Sequence, residues 1–131
     1  MNEEFKMKVN ECKLSDPVTC SKDSTIKEVA KLFKERAIRY IVVLENKFAV
    51  GIISTSDLVS KIVAENKDAK STKVEQIMIT PLFVLKEDEE LHTALLSMLK
   101  KGLNSCPVVN KENKCIGILT LIELIKRLNK K

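Results

Sequence analysis

Gly51-Ile52-Ile53-Ser54-Thr55-Ser56-Asp57-Leu58 and Gly117-Ile118-Leu119-Thr120-Leu121-Ile122-Glu123-Leu124 follow one pattern. In each, a glycine opens a short apolar run, the run ends on a hydroxyl residue, and an acid follows three residues later. The first half of the pattern reads as a buried strand and the second as the start of a helix. A strand feeding a helix through such a junction, met twice in 131 residues, makes an internal repeat the first hypothesis about the fold.

The match extends outward on both sides. Pro17 pairs with Pro81, Ile26 with Leu91 and Gly51 with Gly117, at separations of 64, 65 and 66 residues. Further upstream, Val9, Cys12 and Leu14 are matched with Val74, Ile77 and Ile79. After each proline comes a short apolar stretch, at 18–20 and at 82–85. A helix follows, its apolar face formed by Ile26, Val29, Ala30 and Phe33 in one copy and by Leu91, Ala94, Leu95 and Met98 in the other. Thr25 and Glu28 form a capping box at the start of the first helix. Strands over 40–44 and 48–54, joined by Glu45-Asn46-Lys47, predict a hairpin whose counterpart spans 106–109 and 115–120. Closing helices are expected over 56–65 and 122–128. Each copy therefore reads β-α-β-β-α, and the fold class is α+β. The expected organisation is a tail over 1–8, a first copy over 9–65, a polar linker over 66–73 and a second copy over 74–131. A lone three-stranded sheet would leave an apolar face open, so the copies are expected to pack through their sheets.

Composition bounds the function. Hydrophobic residues make up 44% and charged residues 31%, which places the chain in the globular class. With 4% aromatics and no Trp, no stacking platform for single-stranded nucleic acid is available. The net charge of +5 comes from scattered lysines and a terminal group, Lys126, Arg127, Lys130 and Lys131, without the stripe or motif of a nucleic-acid reader. His92 is the single histidine, and Cys12, Cys20, Cys106 and Cys115 lack Cys-x-x-Cys spacing, which argues against zinc and against any bound metal. The thiols read as small buried apolar residues. Cys106 could be imagined as a nucleophile, but its counterpart Ile41 is a buried strand residue, so no catalytic residue and no cofactor are expected. The charged opening MNEEFKMK is no secretory leader and no apolar run is long enough to span a membrane, so the expected compartment is the cytoplasm.

The chemistry concentrates at the two strand-to-helix junctions. Ser54 with Asp57, and Thr120 with Glu123, can each cap a helix. Asp is the less usual acid for a capping box, and its short carboxylate suits a two-pronged grip on a ribose diol. Asp57 is therefore read as a ligand contact and Glu123 as a cap. Thr55 and Ser56 add hydroxyls where the second copy has Leu121 and Ile122. Arg39, just before a buried strand, offers a cation for phosphate where the second copy has Asn104.

Taken together, the two motifs, the paired prolines and the paired hairpins resemble a stand-alone tandem pair of cystathionine beta-synthase (CBS) domains, a Bateman module, over residues 9–128. The resemblance implies two sheets related by a pseudo two-fold axis, with clefts between the copies for AMP, ADP, ATP or S-adenosylmethionine. By position, one cleft would take Ile38, Arg39, Ile52, Ser54, Ser56 and Asp57, with Met78, Phe83, Leu103 and Asn104. Asp57 would hold the ribose, Ser54, Ser56 and Arg39 the phosphate, and the apolar residues the adenine. A second cleft would draw on Thr19, Ile38, Arg39, Ile118, Thr120 and Glu123. There Glu123 stands for the usual Asp and Ile122 for a hydroxyl, so one competent site per chain is expected. Such modules form homodimers and regulate a separate protein effector. The alternative is a dimerising scaffold with empty clefts.

Overall fold

The β-branched runs do become strands, and the copies share one topology in the computed structural model, which describes residues 7–130. Residues 1–6 of the expected tail and Lys131 of the terminal basic group lie outside the described residues. In the first copy, β1 (Thr19–Ser21), α1 (Ile26–Arg36), β2 (Tyr40–Glu45) and β3 (Phe48–Ser54) lead into α2, which starts at Thr55–Asp57 and continues as a wider turn over Leu58–Val63. The second copy has β4 (Leu85–Lys86), α3 (Leu91–Lys101), β5 (Ser105–Val109), β6 (Cys115–Thr120) and α4 (Leu121–Asn129).

Each sheet has three strands, in the orders β1-β2-β3 and β4-β5-β6, with the first pair parallel and the second antiparallel. The β2–β3 hairpin turns through Asn46 and Lys47, both at positive φ. That is the twist a tight hairpin turn demands. The register slips between Val43 and Leu44, and at the matching place between Val108 and Val109.

The first helix of each copy begins where the sequence predicts, and the closing helices begin one residue earlier than expected, at Thr55 and Leu121. At α1, the Glu28 N–H donates to Thr25 Oγ1 (3.2 Å) while the Thr25 N–H donates to Glu28 Oε1 (3.0 Å). These contacts with Thr25 hold the Glu28 carboxyl below its ordinary range.

The compact units do not coincide with the repeats along the chain. One is Val18–Leu82; the other joins the segment ending at Pro17 to the segment beginning at Phe83. Residues that open one copy in sequence are built into the body of the other. In the Val18–Leu82 unit, the Ile26 N–H donates to Thr72 O (2.9 Å), Val74 N–H to Ser24 O (2.8 Å) and Ile79 N–H to Ile52 O (2.8 Å). In the other unit, the Leu91 N–H donates to Met7 O (2.7 Å), Val9 N–H to Glu89 O (2.9 Å) and Ile118 N–H to Ser15 O (2.8 Å). The crossing segment thus satisfies the first helical N–H, which has no partner within its own helix. It also adds a short antiparallel bridge beyond the hairpin, Ile52 to Ile79 and Ile118 to Ser15.

This pairing corrects one sequence match. Gly51 lies against Met78 and Gly117 against Leu14, so Leu14 is the counterpart of Met78 and not of Ile79. The one-residue slip falls between buried Cys12 and half-buried Leu14.

Each core follows the same division. Ile26, Val29, Phe33, Ile41, Val43, Ile53 and Ile62 are buried with Val74 and Ile77, while Leu85, Leu91, Ala94, Met98, Val108, Leu119 and Leu124 are buried with Val9 and Cys12.

Candidate functional site

Asp57 is one of two buried polar or charged residues among those described, at 6% exposure. A carboxylate removed from water needs compensating partners. It has three. The Ser54 N–H donates to Oδ2 at 2.8 Å and the Ser54 hydroxyl donates to the same oxygen at 3.0 Å. Lys61 Nζ lies 3.3 Å from Oδ1. The Asp57 N–H in turn donates to Ser54 Oγ at 3.3 Å, which completes a reciprocal box.

The second junction behaves differently. The Glu123 N–H donates to Thr120 Oγ1 at 3.2 Å, but the returning contact from the Glu123 carboxylate to the cap backbone is not formed. Its carboxylate lies 3.7 Å from Lys126 Nζ instead. The geometry reverses the division expected for capping: the short acid closes its box and the long one leaves it half made. Capping and ligand contact are therefore not alternatives at Asp57, because a carboxylate can accept about four hydrogen bonds.

Backbone contacts fix what surrounds the junction. The Thr55 N–H donates to Arg39 O (3.1 Å), which ties the entry of α2 to the residue before β2, and the Leu121 N–H donates to Asn104 O (2.8 Å) in the same way. Arg39 and Ser56 are exposed, while Ile38, Ile52, Ser54 and Met78 are half-buried. These residues, with Asp57 and the exposed Thr19, belong to the Val18–Leu82 unit. Phe83, Leu103, Asn104, Ile118, Thr120 and Glu123 belong to the other. Within that unit Lys101 Nζ stands 4.8 Å from the centre of the Phe83 ring, and Phe83 O accepts from Cys106 Sγ at 3.5 Å.

Sequence reading passed over Lys61. Its spacing of four from Asp57 on one helix is a legible ion-pair signal, but its second contact, donation to Ile77 O at 3.0 Å, is not.

Cys12 and Cys106 are buried as expected, while Cys20 and Cys115 are only half-buried. Burial pushes Cys106 up to about 12 and Cys20 up to about 11, and raises Cys12 and Cys115 as well. A reactive cysteine needs the opposite shift. No described helix is long and apolar enough to cross a membrane.

Known proteins carry the same repeat. The CBS domain family model matches residues 9–64 and again 74–130. An uncharacterized Methanopyrus kandleri protein, MK0525, is 32% identical over 119 residues, covering 90% of this chain and 61% of its own length. The inosine-5'-monophosphate dehydrogenase of Methanocaldococcus jannaschii is 32% identical over 121 residues, 92% of this chain but 23% of the enzyme. The chain thus spans less than two thirds of either relative. Among solved structures, the CBS domain pair of protein MJ0100, in complex with 5'-methylthioadenosine and S-adenosyl-L-methionine, aligns with a TM-score of 0.74 at 28% identity, covering 95% of this chain and all of that one. Repeat, topology and junction motif converge on one conclusion: this chain belongs to the CBS domain family and carries two such domains in tandem.

Proposed function

We propose that the chain is a regulatory module that binds an adenosine nucleotide at the Asp57 junction and passes its occupancy to a partner protein. The observation that carries this reading is the Asp57 carboxylate, buried at a strand-to-helix turn whose first N–H is tied to the Arg39 backbone, with acceptor capacity left over. In this reading Asp57 receives the ribose diol, Ser54, Ser56 and Arg39 meet the phosphate or another polar substituent, and Ile38, Ile52 and Met78 contribute to the adenine surface. The MJ0100 pair, solved with two adenosine compounds, supports the ligand class. The Glu123 junction, whose box stays half made and which has Ile122 where the first copy has Ser56, supports one competent site per chain.

The module works as a homodimer in the cytoplasm. Val59 and Val63, at 64% and 73% exposure, lie one helical turn apart on α2, and Ile122 and Ile125 do so on α4. Apolar side chains gathered on exposed helix faces favour self-association. The four free thiols fit a reducing compartment.

Calorimetric titration with AMP, ADP, ATP and S-adenosylmethionine, with light scattering on the same samples, tests the proposal. The expected outcome is a dimer that binds at least one of the four saturably, at one site per chain. Binding is expected to be lost in Asp57→Ala and strongly weakened in Asp57→Asn, which retains a capping side chain. A folded dimer that binds none of them would leave the scaffold function in place of the sensor.

A further inference from the structure

Lys61 sits where α2 leaves the ordinary helical path. The Ala64 N–H donates to Val59 O and the Lys67 N–H to Ile62 O, each reaching back five residues. From this wide turn the ammonium group makes two contacts, one to Asp57 Oδ1 (3.3 Å) and one to the carbonyl of Ile77 (3.0 Å). Ile77 is buried in the crossing segment. The next residue, Met78, lies against Gly51, and Ile79 pairs with Ile52 on the sheet. One cation therefore links the carboxylate at the junction to the segment that closes the sheet edge.

Acceptor counting sets up a competition. Of the roughly four acceptor positions on the carboxylate, Ser54 fills two on Oδ2, and the Lys61 ammonium is ion-paired with Oδ1 at 3.3 Å. A ribose diol brings two O–H donors to a carboxylate whose other oxygen already faces that cation. Some partner must yield. The Ser54 N–H is fixed by the backbone, and the Ser54 hydroxyl is held from its other side by the Asp57 N–H. Lys61 has the longest contact of the three and is 37% exposed, so water can receive its ammonium.

The second copy separates these links. Arg127 occupies the position equivalent to Lys61, but its Nη2 reaches Glu11 Oε1 at 3.1 Å, in the equivalent crossing segment, and not Glu123. Both copies tie the closing helix to the crossing segment; the first alone passes that tie through the acid of the motif.

We infer that Lys61 is a competing counter-ion: it holds the Asp57 oxygen that a ribose diol takes, and its displacement reports occupancy to residues 74–79. The inference rests on nucleotide binding at Asp57. It assigns to a residue outside the motif both a restraint on affinity and the first step of transmission.

The test uses the whole chain with AMP and S-adenosylmethionine as probes. Lys61→Met removes the ammonium, and Lys61→Gln keeps a donor for the Ile77 carbonyl without the charge. Both are expected to bind roughly two- to five-fold more tightly than the parent, the worth of a partly exposed ion pair. In the parent, ligand should change amide exchange at Ile77 and Ile79; in Lys61→Met that change should be absent. Arg127→Met should leave affinity unaltered. If the parent binds and both Lys61 variants bind equally well or more weakly, the inference fails while the nucleotide reading stands. If the parent binds neither probe, both fall.

Discussion

At Gly51 a β-carbon would stand 2.7 Å from Met78 Sδ, and at Gly117 it would stand 2.8 Å from Leu14 Cβ and 3.1 Å from Ser15 O. Both glycines mark the repeat in sequence, but neither has the positive φ that would demand glycine for conformational reasons. What excludes a side chain is the crossing segment, which is remote in the chain. The two sites differ in how far the obstacle can move. At Gly51 the thioether ends a flexible side chain and can turn away, leaving Ile79 O at 3.3 Å, whereas at Gly117 a Cβ and a carbonyl oxygen at 3.1 Å move with the backbone. Gly117→Ala is therefore expected to cost about 1–3 kcal/mol, and Gly51→Ala clearly less. Urea unfolding of the two variants checks this; equal losses would mean that the Met78 side chain is as rigid as backbone. Asp57 teaches the same lesson. Its residue type and position were legible as a binding candidate, but the partition of its oxygens between Ser54 and Lys61 was not, because Ile77, which fixes the far side of Lys61, lies sixteen residues away.

Helix ends show how local sequence can set an element and still leave it strained. α1 ends on Ala37 in the left-handed conformation (φ 52°), and α3 ends on Gly102 at φ 67°. The repeat demands the same cap in both copies, and only the second supplies the residue without a Cβ penalty. Ala37→Gly is expected to stabilise the protein by about 0.5–1 kcal/mol, the relief of left-handed strain less the added freedom of the unfolded chain. Gly102→Ala should destabilise by a similar amount. Thermal melts of the two variants should move in opposite directions; a fall for Ala37→Gly would show that the cap tolerates alanine at no cost. The closing helices carry the opposite lesson. Their motifs predict similar elements, and α4 runs as an ordinary helix, while α2 widens after Asp57. Nothing in the apolar periodicity over 58–63 announces that change, because it appears in the reach of the backbone hydrogen bonds and not in which residues are apolar.

For the whole molecule, the crossing segments decide which residues share a fate. Val9 and Val74 are both fully buried, each in the body of the other copy. Truncating either to alanine deletes two buried carbons and leaves a cavity, at an expected cost of about 1–3 kcal/mol. The location of the damage is the sharper prediction. Val74→Ala should speed amide exchange chiefly within Val18–Leu82, and Val9→Ala chiefly in the segment after Phe83. Exchange measured peptide by peptide distinguishes this from damage confined to each residue's sequence neighbours, which would contradict the crossing. Periodicity, the paired prolines and glycines and the doubled junction determined by themselves that there are two copies, what elements each contains and in what order, and where polar chemistry gathers, because these depend on residues a few positions apart. The exchange of crossing segments, the close approach that requires Gly51 and Gly117, and the Lys61 link between Asp57 and Ile77 were decided only by tertiary structure. The two copies carry nearly the same local signals, and what distinguishes packing within a copy from packing across them is the fit of buried side chains and the pairing of backbone groups far apart in the chain.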